Sequence, residues 1–275
     1  MSRPLIRVLA VDVDGTLLDS SHQLRADVRE ALNQLSASGI TIVLATARGP
    51  MALGHIVQKL SFSPFLVCFS GAWIGQLDAK SLTLTSVLVD KRIAASSAQI
   101  ILASAFSHHL EPNVFTPDTW RVRTTTNEIL AESQIVESHP LITPDLLGDN
   151  EEPSKIMLIT REGDPAKVLR TIANSVQSLS TATFSKPNYL EIIASGVNKA
   201  KALADLTQTL GMDLSKVAAL GDGDNDVEML KETGLGIAMG NASDRAKLAA
   251  EWLTGTNDEG GVAQAVKKLI ADGLV

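Results

Sequence analysis

Val11-Asp12-Val13-Asp14-Gly15-Thr16-Leu17-Leu18 closes the apolar run Leu5–Val11 and decides how the chain is read. The run is short and continuously apolar, as expected of a strand buried on both faces of a parallel sheet. Asp12 and Asp14 fall where that strand runs out into a Gly-Thr turn. Ligands of open α/β sheets bind outside the carboxyl ends of the strands. Two carboxylates placed there repel each other unless a cation or a proton is shared between them. The string therefore points to a divalent metal and a reactive carboxylate, although alone it also suits helix caps or solvated loop acids.

Strand and helix signals alternate onward from this segment. Arg25–Ser38 has Val28, Leu32 and Leu35 near helical spacing and Gly39 as a stop. Ile40–Ala45 reads as a second strand, Met51–Leu60 as a helix opened after Pro50, and Phe65–Phe69 as a third strand. This order predicts a parallel sheet with helices on both faces. The rhythm then changes. Ile74–Val89 reads as an antiparallel hairpin turning near Asp78-Ala79-Lys80, Arg92–Phe106 and Pro165–Leu179 as helices, and His139–Pro153 as a polar loop. Short strands are expected at Val114–Phe115, Trp120–Thr124, Ile156–Ile159 and Thr181–Phe184. The α/β rhythm returns with a helix at Lys199–Leu210, a strand at Val217–Leu220, a helix at Asp226–Thr233 and a strand at Leu235–Met239. Helices at Ala242–Ala250 and Val262–Ala271 flank a short strand at Trp252–Leu253. The expected organisation is an α/β parallel-sheet core, residues 1–89 and 187–275, interrupted by an α+β insert, residues 90–186.

Bulk properties narrow the function. With 24 Lys+Arg against 31 Asp+Glu, the formal net charge is -7. That balance argues against nucleic acid, whose phosphate backbone needs a basic face. It leaves room for a small phosphorylated ligand, because a metal reverses the local field of a cleft. The single cysteine, Cys68, lies in the apolar run Phe65–Phe69, so no intrachain disulfide is possible and a reducing, cytoplasmic setting is expected. No run of 18 apolar residues exists, so no membrane span is expected. The first apolar stretch leads straight into Asp12 and Asp14, which a removable leader would not carry.

Three further elements carry chemistry. Gly221-Asp222-Gly223-Asp224-Asn225-Asp226 directly follows the strand Val217–Leu220. Carboxylates and an amide clustered this closely suit Mg²⁺. A calcium-binding loop fits poorly, because the string follows a strand and lacks a twelve-residue frame ending in Glu. Leu44-Ala45-Thr46-Ala47-Arg48-Gly49 also ends a strand, and a hydroxyl with free backbone N–H groups there makes a phosphate cradle or an ordinary helix cap. Lys199, in Gly196-Val197-Asn198-Lys199-Ala200-Lys201, opens a helix against the helix dipole and is placed to reach an anion.

Taken in order, these four elements resemble the haloacid dehalogenase-like (HAD) hydrolase superfamily, specifically its Cof-type subfamily with a type IIB cap. Tyr189-Leu190-Glu191-Ile192 and Val227-Glu228-Met229-Leu230 extend the likeness. The resemblance covers nearly the whole chain and is weakest inside the insert. It implies a Rossmann-like core with an inserted α+β cap, and a Mg²⁺-dependent phosphatase acting on a small phosphorylated metabolite, such as a sugar phosphate or phosphorylated cofactor. It implies Asp12 as nucleophile forming an aspartyl phosphate, and Asp14 as general acid and base. Thr46, Ala47 and Lys199 would hold the phosphoryl group. Asp12, the main-chain carbonyl of Asp14, and Asp222 would bind the metal, supported by Asn225 and Asp226. Arg48, Ser70 and Gly71 would contact substrate, with pairing to an acid as an equal alternative for Arg48. Ser70-Gly71-Ala72 stands where relatives often have Asn-Gly-Ala, which alters contacts near the phosphate. Transport ATPases of this type carry Thr two residues after the nucleophile, so Asp14 argues against that branch.

The remaining polar residues carry less. The five histidines show no transition-metal spacing. Arg121 and Arg123 are candidates for selecting substrate if their side chains face the core. Two rivals stand beside phosphatase: a phosphomutase using the same residues, and a non-catalytic phosphometabolite-binding protein. The oligomeric state is not legible.

Overall fold

Val8–Asp12 is buried along its whole length and lies centrally in a sheet that sets up the rest of the molecule. The computed structural model describes residues 5–161 and 167–275. In chain order, β1 (Val8–Asp12), β2 (Thr41–Ala45), β3 (Phe65–Cys68), β4 (Trp73–Leu77) and β5 (Leu84–Asp90) come first. There follow β6 (Pro112–Phe115), β7 (Trp120–Val122), β8 (Leu141–Ile142), β9 (Lys155–Ile159), β10 (Thr181–Lys186) and β11 (Tyr189–Ile193). The last are β12 (Val217–Gly221), β13 (Leu235–Ala238) and β14 (Trp252–Leu253). Among the described residues these strands form two sheets. The first has the order β14-β13-β12-β1-β2-β3-β4-β5, parallel as far as β3 and antiparallel beyond it. The second, β10-β11-β9-β6-β7-β8, is antiparallel except where β8 lies parallel to β7.

Helices cover these sheets where the sequence supplies apolar stripes. α1 (Ala26–Ala37) buries Val28, Ala31, Leu32 and Leu35, and the chain leaves it through Gly39 at φ +88°. The expected helix Met51–Leu60 is instead a 3₁₀ turn, Pro50–Leu53, followed by one turn of helix, α2 (Gly54–Val57). Gly54 supplies no helix propensity, and the packed turn prevails over continuation. α3 (Ala95–Ser107) covers the second sheet. α4 (Asn127–Ile135) was not legible in the sequence, because it buries only Ile129 and Ser133 and so lacks a clear apolar stripe. Thr126 caps it, its Oγ1 accepting from the Ile129 N–H at 3.3 Å. α5 (Lys167–Val176) packs beside α3; the expected start of this helix at Pro165 lies outside the described residues. α6 (Lys199–Thr209) returns the chain to the first sheet.

The second sheet has two different faces because strand side chains alternate. Ile156, Leu158, Leu190 and Ile192 point to a core shared with α3 and α5. Lys155, Met157, Tyr189 and Glu191 occupy the intervening positions, and Met157 and Tyr189 join the apolar cluster of the first sheet. Tyr189–Ile193 thus pairs between β9 and β10, so the chain leaves the second sheet only after Ile193 and not at the expected residue 187. The Glu in the middle of this strand hides its apolar character in the sequence. The stretch read as loop, His139–Pro153, contributes the two-residue strand β8. No helix among the described residues is long and apolar enough to cross a membrane.

Candidate active site

The carboxyl ends of β12, β1, β2 and β3 lie side by side. The register sets Val11 beside Leu220, Asp12 beside Ala45, and Ala45 beside Val67. Asp222, Asp12, Thr46 and Ser70 therefore leave the sheet from adjacent strand ends. After β1 the chain turns back tightly, Leu17 N–H donating to the Asp12 carbonyl at 3.1 Å and Leu18 N–H to that of Val13 at 3.0 Å. Gly15 has φ +81°, and a Cβ there would collide with the Asp222 carboxylate. This glycine is what allows the two acidic loops to touch. Thr16 Oγ1 donates to Asp222 Oδ1 at 2.8 Å and fixes their contact.

Lys199 binds the acids together. It is 1% exposed, and its Nζ donates to Asp12 Oδ1 at 2.5 Å and Asp226 Oδ1 at 2.7 Å. The Asn198 side chain caps α6 by accepting from the Lys201 N–H at 2.8 Å. Gly71, at φ +107°, lies so close that a Cβ would sit 2.5 Å from the Asn198 carbonyl oxygen. Gly71 thus lets α6 start where its first residue, Lys199, enters the acid cluster. Asp226 Oδ2 accepts from the N–H groups of Asp222 (3.1 Å) and Gly223 (2.9 Å), so Asp226 holds both the lysine and its own loop.

Carboxylate oxygens of Asp12, Asp222 and Asp226 lie within 4.8 Å of one another. Burial pushes the Asp12 carboxyl well above its usual range, helped by the charge of Asp226 and opposed by Lys199. Burial likewise pushes Asp222 up to about 6, with Asp226 adding and the Thr16 hydrogen bond opposing. Burial alone would lower Lys199, but Asp12 and Asp226 outweigh it and hold its pKa above the usual value. Three carboxylates share one ammonium, and the site is short of positive charge. A hard divalent cation fits this oxygen donor set. Asp226 is already occupied by its donors, so the free acceptors are on Asp12 and Asp222.

The loop after β2 is tied to the loop after β3. Thr46 N–H donates to the Val67 carbonyl (2.8 Å), Ser70 N–H to that of Thr46 (2.9 Å), and Phe69 N–H to that of Arg48 (3.0 Å). Phe69 and Ser70 both take left-handed backbone angles, φ 50° and 53°. Such strain persists where surrounding contacts impose it. Thr46 Oγ1 accepts from the Arg48 N–H at 3.0 Å. The Arg48 guanidinium grips Asp14 with a two-pronged fork, Nε to Oδ2 at 2.8 Å and Nη2 to Oδ1 at 2.6 Å. Of the two expectations for Arg48, the pairing with an acid is the one the geometry contains. Burial would raise Asp14, but His22, with Nδ1 3.7 Å away, and the Arg48 fork overcome it and hold this carboxyl well below the usual range.

The second sheet completes a cleft over these loops. Asp12, Asp14, Thr46, Ala47, Arg48, Asp222 and Asn225 line one side; Phe115, Trp120, Glu132, Lys155, Tyr189 and Glu191 line the other. Lys155 crosses between them, its Nζ donating to the Ala47 carbonyl at 2.9 Å while pairing with Glu191 Oε2 at 2.8 Å. Ser185 Oγ donates to Glu191 Oε1 at 2.9 Å. Ser70 opens into a separate crevice behind Lys199, Gly71 lines neither space, and Asn225 borders both. Arg121 pairs with Glu151, and Arg123 pairs with Glu111 over the Phe106 ring; neither lines the cleft. Thr16, Lys155, Glu132 and Glu191 were not singled out by sequence reasoning. A charge at an alternating position of an otherwise apolar strand was the available signal for Glu191 and Lys155.

The profile of the haloacid dehalogenase-like hydrolases matches residues 9–266. The 5-amino-6-(5-phospho-D-ribitylamino)uracil phosphatase YcsE of Bacillus subtilis is 29% identical over 95% of this chain and 95% of its own. A haloacid dehalogenase-like hydrolase from Bacteroides thetaiotaomicron superposes with a TM-score of 0.84 at 26% identity, over 96% of this chain and 99% of that one. A subclass IIB sugar phosphatase shares the fold, with a TM-score of 0.80 at 20% identity over 98% of this chain and 100% of that one. The chain belongs to the haloacid dehalogenase-like hydrolases, in their Cof-type branch with a subclass IIB fold.

Proposed function

We propose that the protein is a Mg²⁺-dependent phosphomonoesterase that removes phosphate from a small phosphorylated metabolite. The observation that carries this reading is the buried Asp12–Lys199–Asp226 cluster beside Asp222, at the mouth of a cleft between two sheets. The similarity to a named phosphatase supports it. A cytoplasmic location belongs to the same reading, with a lone buried thiol, Cys68.

In this reading an Asp12 carboxylate oxygen attacks phosphorus and the ester P–O bond breaks, with Asp14 giving a proton to the departing oxygen. Covalent transfer divides a difficult hydrolysis into two easier steps. Water then attacks the aspartyl phosphate at phosphorus and gives a proton back to Asp14; the bond to Asp12 breaks and phosphate leaves. Proton transfer of this kind contributes about 10²–10⁴-fold. Lys199, the Thr46 hydroxyl and the Ala47 backbone hold the phosphoryl oxygens, and Lys199 offsets repulsion between Asp12 and the phosphate. Asp12, Asp222 and the Asp14 carbonyl would hold Mg²⁺, which supplies charge neutralisation at the phosphoryl group. The Arg48 fork favours ionised Asp14, the form the second half-reaction needs. The first half-reaction needs the proton, which Asp14 takes up only if the fork releases it.

The test is release of inorganic phosphate from a panel of phosphorylated metabolites, with Mg²⁺ and with a chelator. Turnover of at least one ester, lost on chelation and restored by Mg²⁺, is expected; no release across the panel overturns the reading. Isomer formation without free phosphate would identify a mutase.

A second expectation concerns pH. Asp222 has its folded-state pKa raised to about 6. The stabilisation from its bound proton is complete below the unfolded value of about 4 and is lost as pH rises through about 6. Mg²⁺ needs the ionised carboxylate, so its effect runs the other way. The rise in thermal midpoint on adding Mg²⁺ should be larger at about pH 7.5 than at about pH 5. Equal shifts at both would contradict Asp222 as a ligand.

A further inference from the structure

Most polar groups of the cleft are spoken for. Glu191 is held by Lys155 and Ser185, Asp14 by Arg48, and Asp226 by Lys199 and two N–H groups. Glu132, whose carboxyl group the Tyr189 hydroxyl reaches, still has one oxygen without a donor on the second-sheet side. It projects from α4 into the cleft with only 15% of its side chain exposed. Its Oε2 is out of solvent and accepts no hydrogen bond, and the Lys186 Nζ stands 3.9 Å away, beyond hydrogen-bonding distance. On the opposite side Arg48 Nη1 is buried without an acceptor. Met51 and Ala52 from the first sheet's loops and Ile135 and Val136 beside Glu132 give the cleft a large apolar surface, to which Ser138 and Lys186 add polar groups.

A buried acceptor oxygen without a donor is costly, and Oε2 of Glu132 therefore calls for a donor from outside the chain. We propose that Glu132 selects the leaving group by accepting a hydrogen bond from it. The preferred substrate is then a phosphate monoester whose alcohol portion has a largely apolar body and carries an N–H or O–H donor at its far end. This inference rests on the phosphatase reading. A polyhydroxyl sugar fits less well, because several of its hydroxyls would lie against Met51, Ile135 and Val136 without partners. Glu132 acts on binding and orientation; it is remote from the transfer chemistry assigned to Asp12 and Asp14.

The experiment compares kcat/KM for arylalkyl phosphates with and without a terminal amine or hydroxyl, and for hexose phosphates, in wild type, Glu132→Gln and Glu132→Leu. Wild type should favour the donor-bearing member of each pair by at least about 10²-fold, because a site built to accept a donor rejects the analogue lacking it. Glu132→Leu should bring that ratio close to one, and Glu132→Gln, which keeps shape and one acceptor, should lower it less. Acetyl phosphate turnover by the same preparations reports a folded transfer site. Wild type that prefers hexose phosphates, or a ratio unchanged in both variants, overturns the inference while leaving the phosphatase reading intact. The wild-type ratio decides even if a variant fails to fold. Wild type that hydrolyses no phosphate in the set fails the underlying reading instead.

Discussion

Asp12→Asn should fold, bind phosphate esters and turn over at least about 10⁴-fold more slowly, the scale seen when a nucleophile is removed. The amide has nearly the shape of the carboxylate, so β1 and its turn are undisturbed. It lacks the charge and lone-pair basicity needed to attack phosphorus. The variant should not be less stable without metal. Asp12 is buried beside Asp222 and Asp226, and its ionised form is disfavoured there by both burial and their charge. Replacing it leaves Lys199 still paired with Asp226. Phosphate release and thermal unfolding on one preparation check both halves. A near-normal rate would remove Asp12 from the nucleophile's role.

Lys199→Ala is the second large effect, and it acts on stability as well as rate. The lysine is 1% exposed and is the ammonium shared by Asp12 and Asp226. Removing one partner of a buried ion pair leaves an uncompensated charge and costs about 3–5 kcal/mol. Losing a donor aimed at developing charge costs a further 10²–10³-fold in rate on the order seen for such groups. Added Mg²⁺ should recover part of the stability, because a cation beside Asp12 and Asp222 offsets the same excess of negative charge. Denaturant unfolding with and without Mg²⁺ checks this. A loss below about 1 kcal/mol, the range of exposed pairs, would show that Lys199 does not neutralise the cluster.

What the sequence carried and what it did not have a common explanation. The strands of the first sheet were legible because burial on both faces writes a continuous apolar run, as in Val8–Asp12 and Val217–Gly221. The strand ends carry the acids and the threonine, so Asp12, Asp222 and Thr46 came with them. Lys199 was legible through the four-element pattern and the family resemblance, together with its place at the start of α6. The second sheet was harder. Its central strands carry Lys155 and Glu191 among apolar residues, and the ion pair that makes them compatible joins strands far apart in the chain. Helix α4 shows little amphipathic pattern because one side faces a cleft and the other solvent, so Glu132 went unnoticed with it. Arg48 looked free to choose between substrate and acid; only the fold brings Asp14 to its fork. Ser70 and Gly71 were expected as substrate contacts from the family resemblance, yet Gly71 packs against Asn198 and does not line the cleft.

The most direct test of the account is to catch the phosphoryl group on the protein. Asp14→Asn removes the base that activates water, so an aspartyl phosphate formed with a reactive donor such as acetyl phosphate should persist long enough for a rapid acid quench. Peptide mass analysis of the quenched protein should then find the phosphoryl group on the peptide containing Asp12, and lose it when Asp12→Asn is added. A phosphoryl group on any other residue, or full phosphate release with none ever bound to the protein, would contradict the account.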